Sequence, residues 1–298
     1  MSVRLCFLIL FLLSSPTPAS NFAQAQERRV PIAVLGFGES VIGRLSSEAL
    51  GANLNSIPEL LVLDRNQAST AARGAGHSAS LNMSLEEARG LGAAIGSDYY
   101  IVGDAQTLRR SPSSGPPYFE SYASVFLVSS RTGRLLTWQR PSFIAARSVA
   151  AEKLLLAELS SGATRSRNLS AIRRAQEDER LRRESAIEST APLIEAAPDD
   201  DKTAQAEGLR LPRPFRRVSP PYPETAARAE VEATVDVLVD LDIKGDVSNA
   251  EVARWAGFGL DEATIETVRR MHFFPAMRNG TPIPLRVLLR YNFRKPPK

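Results

Sequence analysis

The chain has little with which to hold a metal or run redox chemistry. Its 298 residues include one cysteine, Cys6, and two histidines, His77 and His272, far apart in the sequence. Soft-metal sites need thiolates and imidazoles clustered at short spacings, so neither a metal site nor a cofactor is expected. A single cysteine also excludes an intramolecular disulfide, and the folded parts must rest on buried apolar area. His77-Ser78 lacks the G-x-S-x-G elbow that usually presents a serine nucleophile. Gly36-Phe37-Gly38 follows an apolar run, but Val41 stands where a dinucleotide fingerprint has its third glycine. Arg44-Leu45 likewise replace the lysine and hydroxyl residue of a P-loop, so these glycines read as a tight strand-to-helix turn. The acidic clusters Glu86-Glu87 and Asp199-Asp200-Asp201 read as solvated surface, and Tyr99-Tyr100 as core and rim of a strand. The expectation is a protein that is not an enzyme.

Long apolar runs are scarce too. The run from Leu5 to Leu13 follows Arg4 and precedes Pro16 and the small residues Ala23-Gln24-Ala25. That order reads as a cleaved export signal over residues 1–25, with a mature chain starting near Gln26 in the periplasm. Nine apolar residues fall well short of the roughly 20 that a membrane-spanning helix needs. Retention as an inner-membrane anchor is the competing reading. The excess of positive charge is small, at +4, and is mixed along the chain without zinc-finger spacing or aromatic-interleaved basic motifs. Nucleic acid is therefore not an expected partner.

Residues 30–38, VPIAVLGFG, read as a buried strand. A helix follows with Ile42, Leu45, Leu50 and Leu54 on one face, then a second strand in ELLVLD, residues 59–64. Ser84 and Glu87 have the spacing of a capping box for a helix that should stop near Gly96. Residues 99–102 start a third strand, and 119–128 with 135–139 form a hairpin across Ser130-Arg131-Thr132-Gly133. This order predicts an α/β sandwich-like domain with a mixed sheet over residues 26–160. Residues 165–188 are charge-rich and predict a solvent-exposed helix without an apolar stripe. Residues 189–208 have few large apolar side chains and read as a flexible tether, so 161–210 is expected to link two folded units.

The last region, residues 211–298, has the clearest pattern. Val231, Ala233, Val235, Val237, Val239 and Leu241 alternate with Glu232, Thr234, Asp236 and Asp240, which predicts a strand buried on one side, with Leu238 the exception. Lys244-Gly245-Asp246 turns the chain into a returning strand. Leu260, Thr264, Ile265, Val268 and Met271 then recur at helical spacing, and Pro275 closes that helix. In the last strand Leu285, Val287, Leu289, Tyr291 and Phe293 point inward, while Arg286, Arg290, Asn292 and Arg294 point outward and Leu288 breaks the pattern. Its arginines would complement the aspartates of the first strand if the two were neighbours.

That ββαβ order resembles the C-terminal domain of the TonB family over about residues 220–293. The landmarks are Tyr222-Pro223, Gly245, Leu260-Asp261, Phe273 with Pro275-Ala276, and Asn279-Gly280. Met271 departs from the tryptophan usual in relatives, and Ala229 lies near a common glycine. The resemblance implies a three-stranded antiparallel sheet whose last strand, Leu285 to Phe293, pairs with an extended segment of an outer-membrane TonB-dependent receptor or another envelope protein. Tyr222-Pro223 would either brace that segment or lock the entrance of the domain. Coupling to ExbB and ExbD would apply only if the N-terminus were retained as an anchor. Residues 30–139 resemble, less specifically, the α/β domain of CsgG, FlgO and the N-terminal part of TolB, carried by IAVLGFGE, LLVLDR, LGAAIGSDYYIVGDA and VSSRTGRLL. That implies a soluble scaffold, and as a rival reading a homo-oligomeric envelope assembly factor.

Overall fold

The structure is a computed structural model that describes residues 29–78, 80–188, 194–198 and 200–295, the side chains of 186–188 excepted. The expected export signal lies outside the described residues. The first half runs β1 (Val30–Val34), α1 (Val41–Asn55), β2 (Leu60–Val62), α2 (Arg65–Gly74), β3 (Met83–Ser84) and α3 (Leu85–Ile95). Then come β4 (Tyr99–Arg110), β5 (Tyr118–Ser129), β6 (Leu135–Gln139) and β7 (Ser142–Ala145). The middle holds α4 (Ser148–Leu159), α5 (Gly162–Glu188), α6 (Asp201–Ala206), β8 (Leu209–Arg210) and β9 (Arg213–Pro214). The last part is α7 (Glu224–Ala229), β10 (Ala233–Leu241), β11 (Val247–Trp255) and α8 (Leu260–Arg269). It closes with β12 (Phe273–Phe274), β13 (Ala276–Arg278), β14 (Thr281–Ile283) and β15 (Leu285–Phe293).

The first sheet is mixed. Its order is β2-β1-β4-β5-β6, with β7 on the far end of β5; β1 pairs in parallel with β2 and β4, and the remaining pairs are antiparallel. Period-2 alternation divides its side chains between two cores. Ile32, Val34, Ile101, Val125 and Leu127 meet Leu50 and Leu54 of α1, Leu155 and Leu159 of α4, and Ala171, Ile172 and Ala175 of α5. Ala33, Tyr100, Val102, Phe126 and Val128 meet Ala68 and Ala72 of α2, Ala88 and Leu91 of α3, and also Trp255 and Phe258. The capping box forms as the spacing predicts: the Ser84 N–H donates to Glu87 Oε2 (2.7 Å) and the Glu87 N–H to Ser84 Oγ (3.1 Å). Gly96 ends α3 in the left-handed region at φ 74°. Tyr99 and Tyr100 are both buried, and the Tyr100 phenol donates to the Ala88 carbonyl (2.9 Å).

Several expectations are corrected here. Leu45 is exposed, so the buried face of α1 is carried by Ile42, Leu50 and Leu54. The helix α5 does bury a stripe, since Ala171, Ile172 and Ala175 recur at helical spacing and join the core formed with α1 and α4. The part of the expected tether that is described is structured. Asp200 caps α6 by accepting from the Thr203 N–H (2.8 Å), and Ala204 and Leu209 join Ala276 and Leu285 in a small third core.

The C-terminal sheet has four strands, in the order β15-β10-β11-β3, where three were expected. The fourth comes from the first half of the chain: Met83 pairs with Trp255 and Ser84 with Arg254. Asn82 secures it, since its amide donates to the carbonyls of Thr234 (2.8 Å) and Trp255 (2.7 Å) and accepts from the Thr234 N–H (3.1 Å). One buried cluster consequently runs through both regions, from Ala33, Tyr100 and Phe126 to Val235, Val237, Val268 and Phe293.

Candidate functional site

The strand β15 pairs antiparallel with β10 along its whole length, Ala233 opposite Phe293 through Leu241 opposite Leu285, and its other side is the edge of the sheet. Its inward set behaves as the alternation predicts. Leu285 and Phe293 are buried, and Val287, Leu289 and Tyr291 pack partly buried on the main core. On the opposite face the register sets Arg286 across from Asp240 and Arg290 across from Asp236. Both pairs are bidentate, at 2.5 and 2.8 Å for Arg286–Asp240 and 2.7 and 2.9 Å for Arg290–Asp236. The two aspartates are only 4–5% exposed, covered by the guanidinium groups above them. The hydrogen-bonded Arg286 holds the Asp240 carboxyl below the usual carboxylate range, against the opposing effect of burial. Arg254 reaches Asp236 from the other side at 3.6 Å and also pairs with Glu87.

The backbone of the edge is set by the same register. Arg286 turns both of its peptide groups outward: its N–H donates to the Glu195 carbonyl (2.7 Å) and its carbonyl accepts from the Ala197 N–H (2.7 Å). Antiparallel pairing alternates, so Leu288, Arg290 and Asn292 also face their N–H and C=O groups outward. No backbone hydrogen bond to another segment is recorded at these three among the described residues. Leu288, the exception in the sequence pattern, is half exposed on the arginine face.

Tyr222 and Pro223 sit at the other end of this strand. The Tyr222 phenol donates to the Val231 carbonyl (2.6 Å), and its ring lies 6.3 Å from that of Phe293. Pro223 opens α7, packed beside Gly259. These contacts are internal to the domain and tie α7 to the start of β10.

The other candidates do not join the edge. His77 lies in a loop after α2, where burial lowers its imidazole pKa, and His272 contacts Asp246 (2.8 Å) beyond α8. Among the described residues no three His, Cys, Asp or Glu converge, and no helix is long and apolar enough to cross a membrane. A groove of about 1140 Å³ lies between β6, β11 and α8 and is lined by Trp138, Trp255 and Ile265. Arg134, Arg182, Arg269 and Arg270 stand there among Glu251, Glu262, Glu266 and the buried Asp261, so both signs are mixed along it and no ligand of one sign is singled out. Sequence reasoning passed over Trp255, which is 1% exposed and donates its indole N–H to the Gly133 carbonyl (2.9 Å). It also passed over Glu195 to Ala197, whose residue types carry no strand pattern.

The model of the family described as Gram-negative bacterial TonB protein C-terminal matches residues 218–294. No curated protein matches the chain. Among solved structures, the TonB C-terminal domain of Pseudomonas aeruginosa matches at 19% identity and TM-score 0.26, over 29% of this chain and 89% of that one. The LpoB C-terminal domain from Salmonella enterica matches at 15% identity and TM-score 0.27, over 40% and 87%. PelC from Paraburkholderia phytofirmans, solved as a dodecamer, matches at 13% identity and TM-score 0.27, over 44% and 86%.

Proposed function

Taking residues 218–294 as a TonB C-terminal domain, we propose that the chain is a non-enzymatic protein of the bacterial envelope, which binds an extended segment of another envelope protein along β15. The observation that carries this reading is the outward row of peptide groups at Leu288, Arg290 and Asn292 on an edge strand. An incoming strand satisfies such groups by backbone hydrogen bonds, and pockets between alternate side chains add selectivity. Each bond contributes about 0.5–1.5 kcal/mol net, less the cost of ordering the segment, which gives weak to moderate affinity. The proposed partner is an outer-membrane TonB-dependent receptor, engaged in the periplasm as part of TonB-linked transport. Coupling to ExbB and ExbD requires a retained N-terminal anchor.

The test is amide chemical-shift mapping of the full chain titrated with receptor-derived extended peptides. Shifts should centre on residues 288–292, survive conservative scrambling of the peptide, and weaken when proline removes a donor at its centre. Shifts confined to α8, or equal binding of the parent and proline peptides, refute strand addition.

The rival reading, a homo-oligomeric assembly factor that uses this domain for docking, is favoured by one observation. Ile144 of β7 and Val149 and Leu154 of α4 are large apolar side chains left exposed. Light scattering of the full chain separates the two, since the rival requires a stable oligomer that Val149→Glu breaks.

A further inference from the structure

The edge of β15 already has an occupant over part of its length. Ala196 bridges Arg286 in parallel orientation, through the two 2.7 Å backbone bonds from Arg286 to Glu195 and from Ala197 to Arg286. The contact is held at both ends. The Glu195 carboxylate accepts two hydrogen bonds from the Arg278 guanidinium on β13, at 2.9 and 2.7 Å. Ala197 packs partly buried beside Leu285 and Ala276, and a few residues on Asp200 anchors the chain as the cap of α6. Among the described residues the pairing is confined to the one bridge at Ala196.

We propose that residues 194–198 are an internal competitor for the docking edge, and that the partner able to displace them is an extended segment of like chemistry: an acidic residue with a small one two positions on. This rests on the reading of β15 as a docking strand. Neighbouring strands lie about 4.8 Å apart, so two segments cannot occupy the same stretch of edge. A short partner fits only beside Leu288 to Asn292. A partner in register with all of β15 must take the place of Glu195 to Ala197. Displacement strips Arg278 of its carboxylate, and an acidic side chain at the matching position restores the bidentate pair. A small residue is required two positions on, because Ala197 packs partly buried in the small core of Leu285 and Ala276, whereas Ala196 is exposed and leaves its position open to other side chains.

The experiment uses the full chain and its double variant Glu195→Ala, Ala197→Pro, which removes the carboxylate and the N–H donated to Arg286. The probe is a synthetic peptide with the sequence of residues 192–198, PLIEAAP, and a second with lysine in place of its glutamate. Without peptide, the Arg286 amide of the wild type should exchange with solvent roughly five- to tenfold more slowly than those of Leu288 and Arg290, the effect of one protecting hydrogen bond. The double variant should abolish that difference while the amides of Val287 and Leu289, which face β10, stay protected. PLIEAAP should then bind the variant along β15, bind the wild type at least about tenfold more weakly, and lose its affinity when glutamate becomes lysine. Equal exchange of Arg286, Leu288 and Arg290 in the wild type overturns the proposal, as does equal binding of PLIEAAP to both proteins or to neither. If Arg286 is protected and PLIEAAP binds the variant while receptor-derived peptides bind neither, the competitor stands and the receptor reading fails.

Discussion

Trp255 joins the two regions, and replacing it should show how far they fold as one. Its indole is the largest fully buried side chain described, stacked on Phe126 at 5.9 Å, and its N–H donates to the Gly133 carbonyl in the turn between β5 and β6. Gly257 follows in the left-handed region at φ 72°, where an added Cβ would meet the Phe126 ring at 2.5 Å, so the loop can lie directly on the first sheet. Trp255→Phe keeps most of the ring but leaves the buried Gly133 carbonyl without its donor, which costs about 1–3 kcal/mol. Trp255→Ala adds a cavity and costs about 3–5 kcal/mol, a large share of the roughly 5–15 kcal/mol that holds a domain together. The assay is urea unfolding followed by circular dichroism and by tryptophan fluorescence. In both variants the fluorescence comes from Trp138 alone, whose ring lies 5.4 Å from that of Phe258 at the same junction. Because one core runs through both sheets, the wild type should unfold in one transition seen alike by both probes, and Trp255→Phe should move its midpoint down intact. Trp255→Ala should split the curve, the Trp138 signal changing before the bulk of the secondary structure. Two separate transitions in the wild type, or an unmoved midpoint in Trp255→Phe, refute the reasoning.

Other outcomes follow from the ionisable groups. Burial pushes the Asp261 carboxyl up to about 7, although it accepts from the N–H groups of Ala256 and Gly257. A raised carboxyl contributes stability that is whole below its unfolded value and lost as pH rises through the folded one, so thermal melts should show wild type losing ground to Asp261→Asn between about pH 4 and pH 7. Arg286→Ala strands the buried Asp240 and should cost about 1–2 kcal/mol at pH 7. Since the paired Asp240 titrates below the usual range, this penalty should shrink when unfolding is measured at about pH 3, where its contribution is being lost as pH falls. Arg290→Ala should cost less than Arg286→Ala in the same assay, because Arg254 remains 3.6 Å from Asp236.

What the sequence made legible is what repeats. The alternation of Val235, Val237 and Val239 against Asp236 and Asp240, and that of β15, gave the faces and the pairing of the two strands by charge from residue type, while the edge came from the resemblance to the TonB C-terminal domain. Ser84 and Glu87 fixed the start of α3, because a capping box is a local motif with its own chemistry. The two residues of β3 are too few for a period, and their partners lie about 170 positions away. The stripe on α5 is built from two alanines and one isoleucine, which the charges of RRAQEDERLRRE outweigh in any pattern count. Residues 194–198 were unreadable for a different reason. They hold the edge chiefly through backbone groups, which every residue but proline carries, so composition is silent about them.

Two of these misses, β3 and residues 194–198, bear on one property, the number of open edges in the C-terminal sheet. A sheet built only from β10, β11 and β15 presents two unpaired edges, each able to pair with other chains. Here β3 closes part of β11, and Glu195 to Ala197 close the start of β15, so the outward groups of Leu288, Arg290 and Asn292 form the stretch left for a partner. Both closures come from outside residues 218–294, one from position 83 and the other from position 196. Under the proposed docking along β15, access to that edge therefore depends on segments outside residues 218–294. A fragment of residues 211–298 lacks both covering segments and bares Trp255. Peptide binding or self-association by that fragment would not separate the stretch left open in the intact chain from the edges that the intact chain closes, which is why the tests of β15 belong on the full chain.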